Sequence, residues 1–337
     1  MSRKIPLAAV SLIIVVAVAL YLATRARDSN RTSTVQRTTL DVGPPALSVA
    51  AVIDPPFVMF RTLTPKDLHG RVAMASPSAA GSTRYVSSLA CSRVAYAAGN
   101  GICLVEEPSG TEVRHAAYIF DRGFRQGMRI ELGGIPTRAR VSPDGRRAAI
   151  TIYSEEHLPN GEERLAISSV IVDVASGHVD NLREFTLDHR AGVVFEGPLD
   201  FSSVAFARDS NRFFATLATT SERYIVAGTL DNRRLSLLAA GLANEALSPD
   251  ETRLAVKQRV GDRGRWQLLV FDLATRSTQA LNQGDRSVDD QVEWLDEGHV
   301  VYHDATEQGT NLWVLSADGV APPRVLIANA YSPSVTH

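Results

Sequence analysis

After about residue 60 the apolar positions come in short runs closed by polar turns, with almost no helical period. One unit reads VSPDGRRAAI (141–150) and a second LSPDETRLAV (247–256). FARDSNRFFA (206–215) and WLDEGHVVY (294–302) are weaker copies, and LACSRVAYA (89–97) is a cruder one. Each predicts a strand, a tight turn and a second strand. Proline in the first two turns fixes φ near −65°, the turn Asp can hydrogen-bond the backbone further along, and Gly145 tolerates positive φ. The turn residues Asp144, Asp209, Asp250 and Asp296 stand 65, 41 and 46 residues apart. Because they recur with the period of the fold, they read as structural.

A second signature follows each turn: VIVDVASG (170–177), LLVFDLATR (268–276), NLWVLSADG (311–319) and ICLVEEPSG (102–110). Each is an apolar strand ending in an acidic or small-residue turn, and a further strand follows. Four short strands per unit cannot bury both faces alone, and radial stacking solves that. The chain is therefore expected to be all-β, a six-bladed β-propeller of four-stranded antiparallel blades. Five blades fall between residue 85 and about 330. The sixth is composite, with YSPSVTH (331–337) as an innermost strand and residues 57–80 supplying its partners, which leaves no open edge where the ring closes.

The N-terminus follows a different pattern. Arg3 and Lys4 precede an uncharged run from Ile5 to Thr24, long enough to span a bilayer core of about 30 Å. Residues 1–24 read as an uncleaved signal anchor, with a cleaved signal peptide as the alternative. Residues 25–56 are rich in Ser, Thr, Arg and Pro and read as a flexible linker. The expected place of the propeller (57–337) is the extracytoplasmic side of the membrane, or secreted or periplasmic after cleavage.

SPDGRRAAI and LSPDETRLAV, together with the VDVASG-type strands, resemble the TolB-like six-bladed β-propeller family over roughly residues 60–337. From Arg212 onward, SVDDQVEWLD and VLSADG look especially like membrane-anchored TolB-like proteins of actinobacteria. The α/β domain that precedes the propeller in TolB proper has no counterpart in the residues read here, so only the propeller carries over. The resemblance implies a binding or scaffold role toward a protein or peptide of the cell envelope. Such a motif specifies fold far more strongly than function.

Charge and composition narrow the chemistry. Across 337 residues the formal charge is −2, so no nucleic-acid partner is expected. Only Lys4, Lys66 and Lys257 are lysine among 35 basic residues. There is no Gly-x-Ser-x-Gly, His-Glu-x-x-His or Walker A loop. No cofactor is expected. Innermost strands begin near Arg138, Asp200, Glu245 and Asp289–Asp290, positions that sit around a channel mouth. Asp200, Glu245, Asp289 and Asp290 would then form an acidic funnel, with Arg138 and Arg140 on one side. Such a funnel suits a basic or zwitterionic group or a peptide, and the competing reading is a solvated rim of ion pairs. A metal-dependent enzyme of the lactonase or lyase kind, with the channel carboxylates as ligands, is the alternative function. His299 and His303 share a strand face but lack a third metal ligand nearby. Trp266, Trp294 and Trp313 read as blade packing. Cys91 and Cys103 could pair in an oxidising compartment. The strand reading argues against it, placing them at opposite ends of a strand, about 20 Å apart.

Overall fold

Val58, Met59 and Phe60 follow one another along one strand, and none is exposed. A strand buried on both faces is what a blade sandwiched between two others requires. The alternation survives in where the side chains go: Phe57 and Met59 join one apolar cluster, Val58 and Phe60 another. The computed structural model describes residues 55–78, 84–158, 161–188, 195, 197–262, 264–306 and 309–337. The expected anchor (1–24) and nearly all of the linker (25–56) lie outside these residues. Among the described residues no helix is long and apolar enough to cross a membrane.

Six antiparallel sheets form the propeller. Blade 1 holds β1 (Phe57–Thr62), β2 (Arg71–Ala75) and β3 (Tyr85–Ala90). Blade 2 holds β4 (Arg93–Ala97), β5 (Asn100–Ser109), β6 (Glu112–Asp121) and β7 (Gln126–Leu132). Blade 3 holds β8 (Ile135–Val141), β9 (Arg147–His157), β10 (Glu163–Asp173) and β11 (Val179–Asn181). Blade 4 runs β13 (Asp200–Phe206), β14 (Arg212–Ala218), β15 (Arg223–Thr229) and β16 (Arg234–Ala240). It gains a fifth strand, β12 (Thr186–Asp188), which pairs parallel to β16. Blade 5 holds β17 (Ala243–Leu247), β18 (Arg253–Val260), β19 (Arg265–Asp272) and β20 (Thr278–Ala280). Blade 6 holds β21 (Val292–Asp296), β22 (His299–Thr306), β23 (Gly309–Ser316) and β24 (Arg324–Ile327). The ring closes as the sequence suggests: β25 (Ala330–Thr336) pairs antiparallel with β1, so the C-terminal strand is the innermost of blade 1.

The repeated turns are alike at the atomic level. The Asp144, Asp209, Asp250 and Asp296 carboxylates accept hydrogen bonds from the backbone N–H two residues on, at Arg146 (2.9 Å), Asn211 (3.0 Å), Thr252 (3.1 Å) and Gly298 (2.7 Å). In the first three the residue after that Asp has positive φ, at Gly145 (+74°), Ser210 (+53°) and Glu251 (+60°). A turn requirement is therefore met by residues of very different chemistry.

One sequence expectation is overturned. Cys91 and Cys103 form a disulfide, with their Cα atoms 5.3 Å apart. The estimate of about 20 Å followed β4 outward only. The two-residue turn Ala98–Gly99, both at positive φ, sends β5 back along β4, so Val94 lies opposite Cys103. Cys91, in the short link before β4, is thereby brought beside it.

Candidate functional site: the upper mouth of the channel

The innermost strands β4, β8, β13, β17, β21 and β25 run the same way along the central channel. Residues at their starts gather at one end, here called upper, and residues at their ends gather at the other. The upper mouth is a cavity of about 490 Å³ lined by Arg93, Arg138, Asp289, Asp290, His303, Asp304 and Tyr331 among others. That is within the size range of ligand sites, about 300–1,000 Å³. Below it the channel narrows to about 10 Å³ between Arg138, Arg140, Glu245 and Gln291, too little for more than one water. A second cavity of about 190 Å³ opens at the lower end.

Ion pairs make this seal. Arg138 on β8 pairs with the Glu245 carboxylate on β17, across the channel. Lys257 on β18 holds the other oxygen of Glu245 at 3.0 Å and donates to the Asp290 carbonyl at 2.9 Å. Arg140 pairs with Glu293 and donates to the Glu245 and Val292 carbonyls, both at 2.6 Å. Lys257 is buried, and burial, helped by Arg138, lowers its pKa to about 8 even with Glu245 opposing.

Asp290 anchors a second group. Arg93 grips it with two hydrogen bonds (2.9 and 2.6 Å), Tyr331 donates to it at 3.0 Å, and His303 Nε2 lies 3.3 Å away. Burial would push the Asp290 carboxyl up, but the Arg93 charge and hydrogen bonds outweigh it and hold it well below the ordinary carboxylate range. For His303 burial prevails. Burial lowers it to about 4 despite Asp290, so at neutral pH the ring is uncharged. It packs on Tyr331 with ring centroids 4.0 Å apart.

The six funnel residues thus do not act as one acidic ring. Asp200 is held between Arg164 (2.9 and 3.0 Å) and Arg183 (2.7 Å), which join blade 3 to blade 4. Glu245 and Asp290 are committed to cations, and Arg138 and Arg140 are those cations or their neighbours. Asp289 differs. It is exposed, and among the described residues its carboxylate has no ion-pair partner. Asp304 pairs with Arg286 at 3.6 Å; burial raises its pKa, against the Arg286 charge and a hydrogen bond from the Ala305 amide, and Asp289 adds a smaller upward push. The mouth therefore keeps one carboxylate without an ion-pair partner among the described residues, Asp289, and a second, Asp304, held by a single 3.6 Å ion pair.

Sequence reasoning missed Arg93, Lys257, Glu293, Asp304 and Tyr331, and weighed His303 only as a metal ligand. Lys257 carried a signal, being a lysine within the repeats of a chain that otherwise uses arginine. His299 plays no part in the mouth; its Nδ1 contacts Asp296 at 2.9 Å. Trp294 is buried and donates to the Ala246 carbonyl at 3.1 Å. Arg286 covers Trp313, 4.0 Å from the ring centroid. Among the described residues no group of three or more His, Cys, Asp or Glu side chains is placed to hold a metal ion. The enzymatic alternative thus finds no ligand set there.

Fold and site together define a six-bladed β-propeller with an ion-paired plug and a larger, partly acidic upper mouth. The chain matches no family model and no curated protein. Among solved structures it is similar to TolB from Acinetobacter baumannii, with a TM-score of 0.57 and 17% identity over 84% of this chain and 67% of that one. It is also similar to a putative TolB from Agrobacterium tumefaciens, with a TM-score of 0.47 and 12% identity over 80% of this chain and 87% of that one. An oligogalacturonate lyase in complex with manganese gives a TM-score of 0.47 and 8% identity over 74% of this chain and 72% of that one. At such identities the likeness concerns the fold alone, a six-bladed β-propeller similar to that of TolB from Acinetobacter baumannii.

Proposed function

We propose that the protein is a non-enzymatic binding or scaffold protein of the cell envelope. In this reading the N-terminal segment tethers it to the membrane and the propeller lies on the extracytoplasmic side. The upper mouth receives a peptide or protein segment that presents a basic side chain. The observation that carries this reading is the Asp289–Asp304 pair. Asp289, without an ion-pair partner among the described residues, and Asp304, held by one 3.6 Å ion pair with Arg286, offer carboxylate oxygens to a cationic group at the opening of a cavity of about 490 Å³. The Cys91–Cys103 bridge supports an oxidising compartment.

Affinity capture after in-cell crosslinking tests it, comparing the full-length protein with the Asp289→Asn/Asp304→Asn variant. The reading expects a specific envelope partner that the variant loses. Capture of the same proteins by both would place contacts on another face. Changing Asp200, Glu245 or Asp290 would be a poor test, because each neutralises a partly or fully buried arginine or lysine.

A further inference from the structure

On the upper side of blades 4 and 5, three cations share one aromatic ring. Arg259 and Trp266 are directly opposed residues of β18 and β19, and the Arg259 guanidinium carbon lies 4.2 Å from the ring centroid. Arg223, at the start of β15 in the neighbouring blade, lies at 5.2 Å, and the Lys257 ammonium at 5.6 Å. Attraction to the ring face explains why they approach it. It does not explain why their charges are left together. Lys257 is neutralised by Glu245. Arg259 donates one Nη to the Gly264 carbonyl. Arg223 is exposed, and no hydrogen bond or ion pair holds its guanidinium among the described residues. Burial and then Arg259 lower its pKa; the Tyr153 phenol alone opposes them, and no carboxylate does. Tyr153 lines the upper mouth, whereas Arg223 is not among the residues lining it.

We infer that Arg223, Arg259 and Trp266 form an anion subsite that takes a carboxylate side chain of an acidic polypeptide segment. Trp266 holds both guanidinium groups near its ring; Arg259 spends one Nη on Gly264, while the Arg223 N–H groups have no partner among the described residues and can make forked hydrogen bonds to a planar carboxylate. A flat anionic membrane is the poorer occupant. Glu155, Asp262, Asp285 and Asp289 are exposed on or near the same side of the ring and would meet it with like charge. A polypeptide can place an acid on the arginines and keep clear of those carboxylates. The subsite lies apart from the Asp289–Asp304 pair, and its test does not depend on that pair.

The test uses full-length protein in neutral detergent and a fluorescein-labelled, capped hexaglutamate peptide, read by anisotropy. Binding is expected, weakening with added salt. Arg223→Gln should weaken it about tenfold, the scale of a lost charge-assisted hydrogen bond. Arg223→Lys should fall between, keeping charge without the fork. Arg324→Gln, a control on the outermost strand of blade 6, should leave binding unchanged. Arg223 is exposed, and its guanidinium contacts the Trp266 ring but holds no hydrogen bond or ion pair among the described residues, so Arg223→Gln should fold as the parent does, which its melting curve checks. Equal binding by parent and Arg223→Gln would overturn the assignment, as would no peptide binding at all. Arg223-dependent binding of monomeric dihexanoyl phosphatidylglycerol without peptide binding would overturn it in favour of a lipid headgroup.

Discussion

Glu245 is 1% exposed and faces both Arg138 and Lys257, so it neutralises two cations at once. Removing it leaves both buried without their shared partner. Glu245→Gln should therefore cost about 3–5 kcal/mol in denaturant melts. Lys257→Met should cost much less, since Glu245 keeps Arg138. His303 gives the plug a pH signature. Its folded pKa is about 4 against about 6.5 when unfolded. Between those values the unfolded chain binds a proton that the folded chain does not. Stability therefore rises with pH across that window, and about 3 kcal/mol is lost as pH falls from about 6.5 to 4. Asp290, whose carboxyl is depressed, loses its contribution only below its unfolded value near 4, so the windows separate. His303→Gln should flatten the dependence of melting temperature on pH between about 4 and 6.5. None of these pairings was legible in the sequence. Each joins residues more than ten positions apart, and Arg138 and Glu245 stand 107 apart.

At the scale of elements the sequence was more open. SPDG and SPDE foretold turns because their side-chain bonds are local. Ser142 and Ser248 accept from the Arg147 and Arg253 amides at 2.9 and 3.0 Å, five residues on. What hid was cross-strand packing. Gly101 on β5 lies opposite Phe120 on β6, and Gly228 on β15 opposite Phe213 on β14. In both blades a phenyl ring occupies the place of the missing Cβ; one added at Gly101 would meet the Phe120 ring at 2.1 Å. Phe120 is itself stacked between Tyr96 and Phe124. Gly101→Ala should thus lower stability by about 1–3 kcal/mol in chemical denaturation, and Phe120→Leu in the same chain should restore part of it. The disulfide was misjudged for a related reason: register between paired strands, not distance along one strand, decides which side chains meet.

For the whole molecule, a repeated unit with too little core of its own made the propeller and its composite closing blade readable. Function was harder to read, because the ring gathers strand starts from all six blades and cancels most of their charge. The four acids expected as a funnel are, apart from Asp289, tied to arginine or lysine. The open chemistry lies at Asp289 with Asp304, a residue of β22 that the innermost-strand argument did not reach. Under the proposed function, partners dock at this upper mouth. The most direct measurement places a photo-crosslinking amino acid at Ser287, which lines the mouth, and separately at Ser176, in the exposed turn between β10 and β11. One discrete envelope-protein adduct is expected from Ser287, diminished by Asp289→Asn/Asp304→Asn, and none from Ser176. An adduct from Ser176 alone, or one from Ser287 that survives both substitutions undiminished, would contradict it.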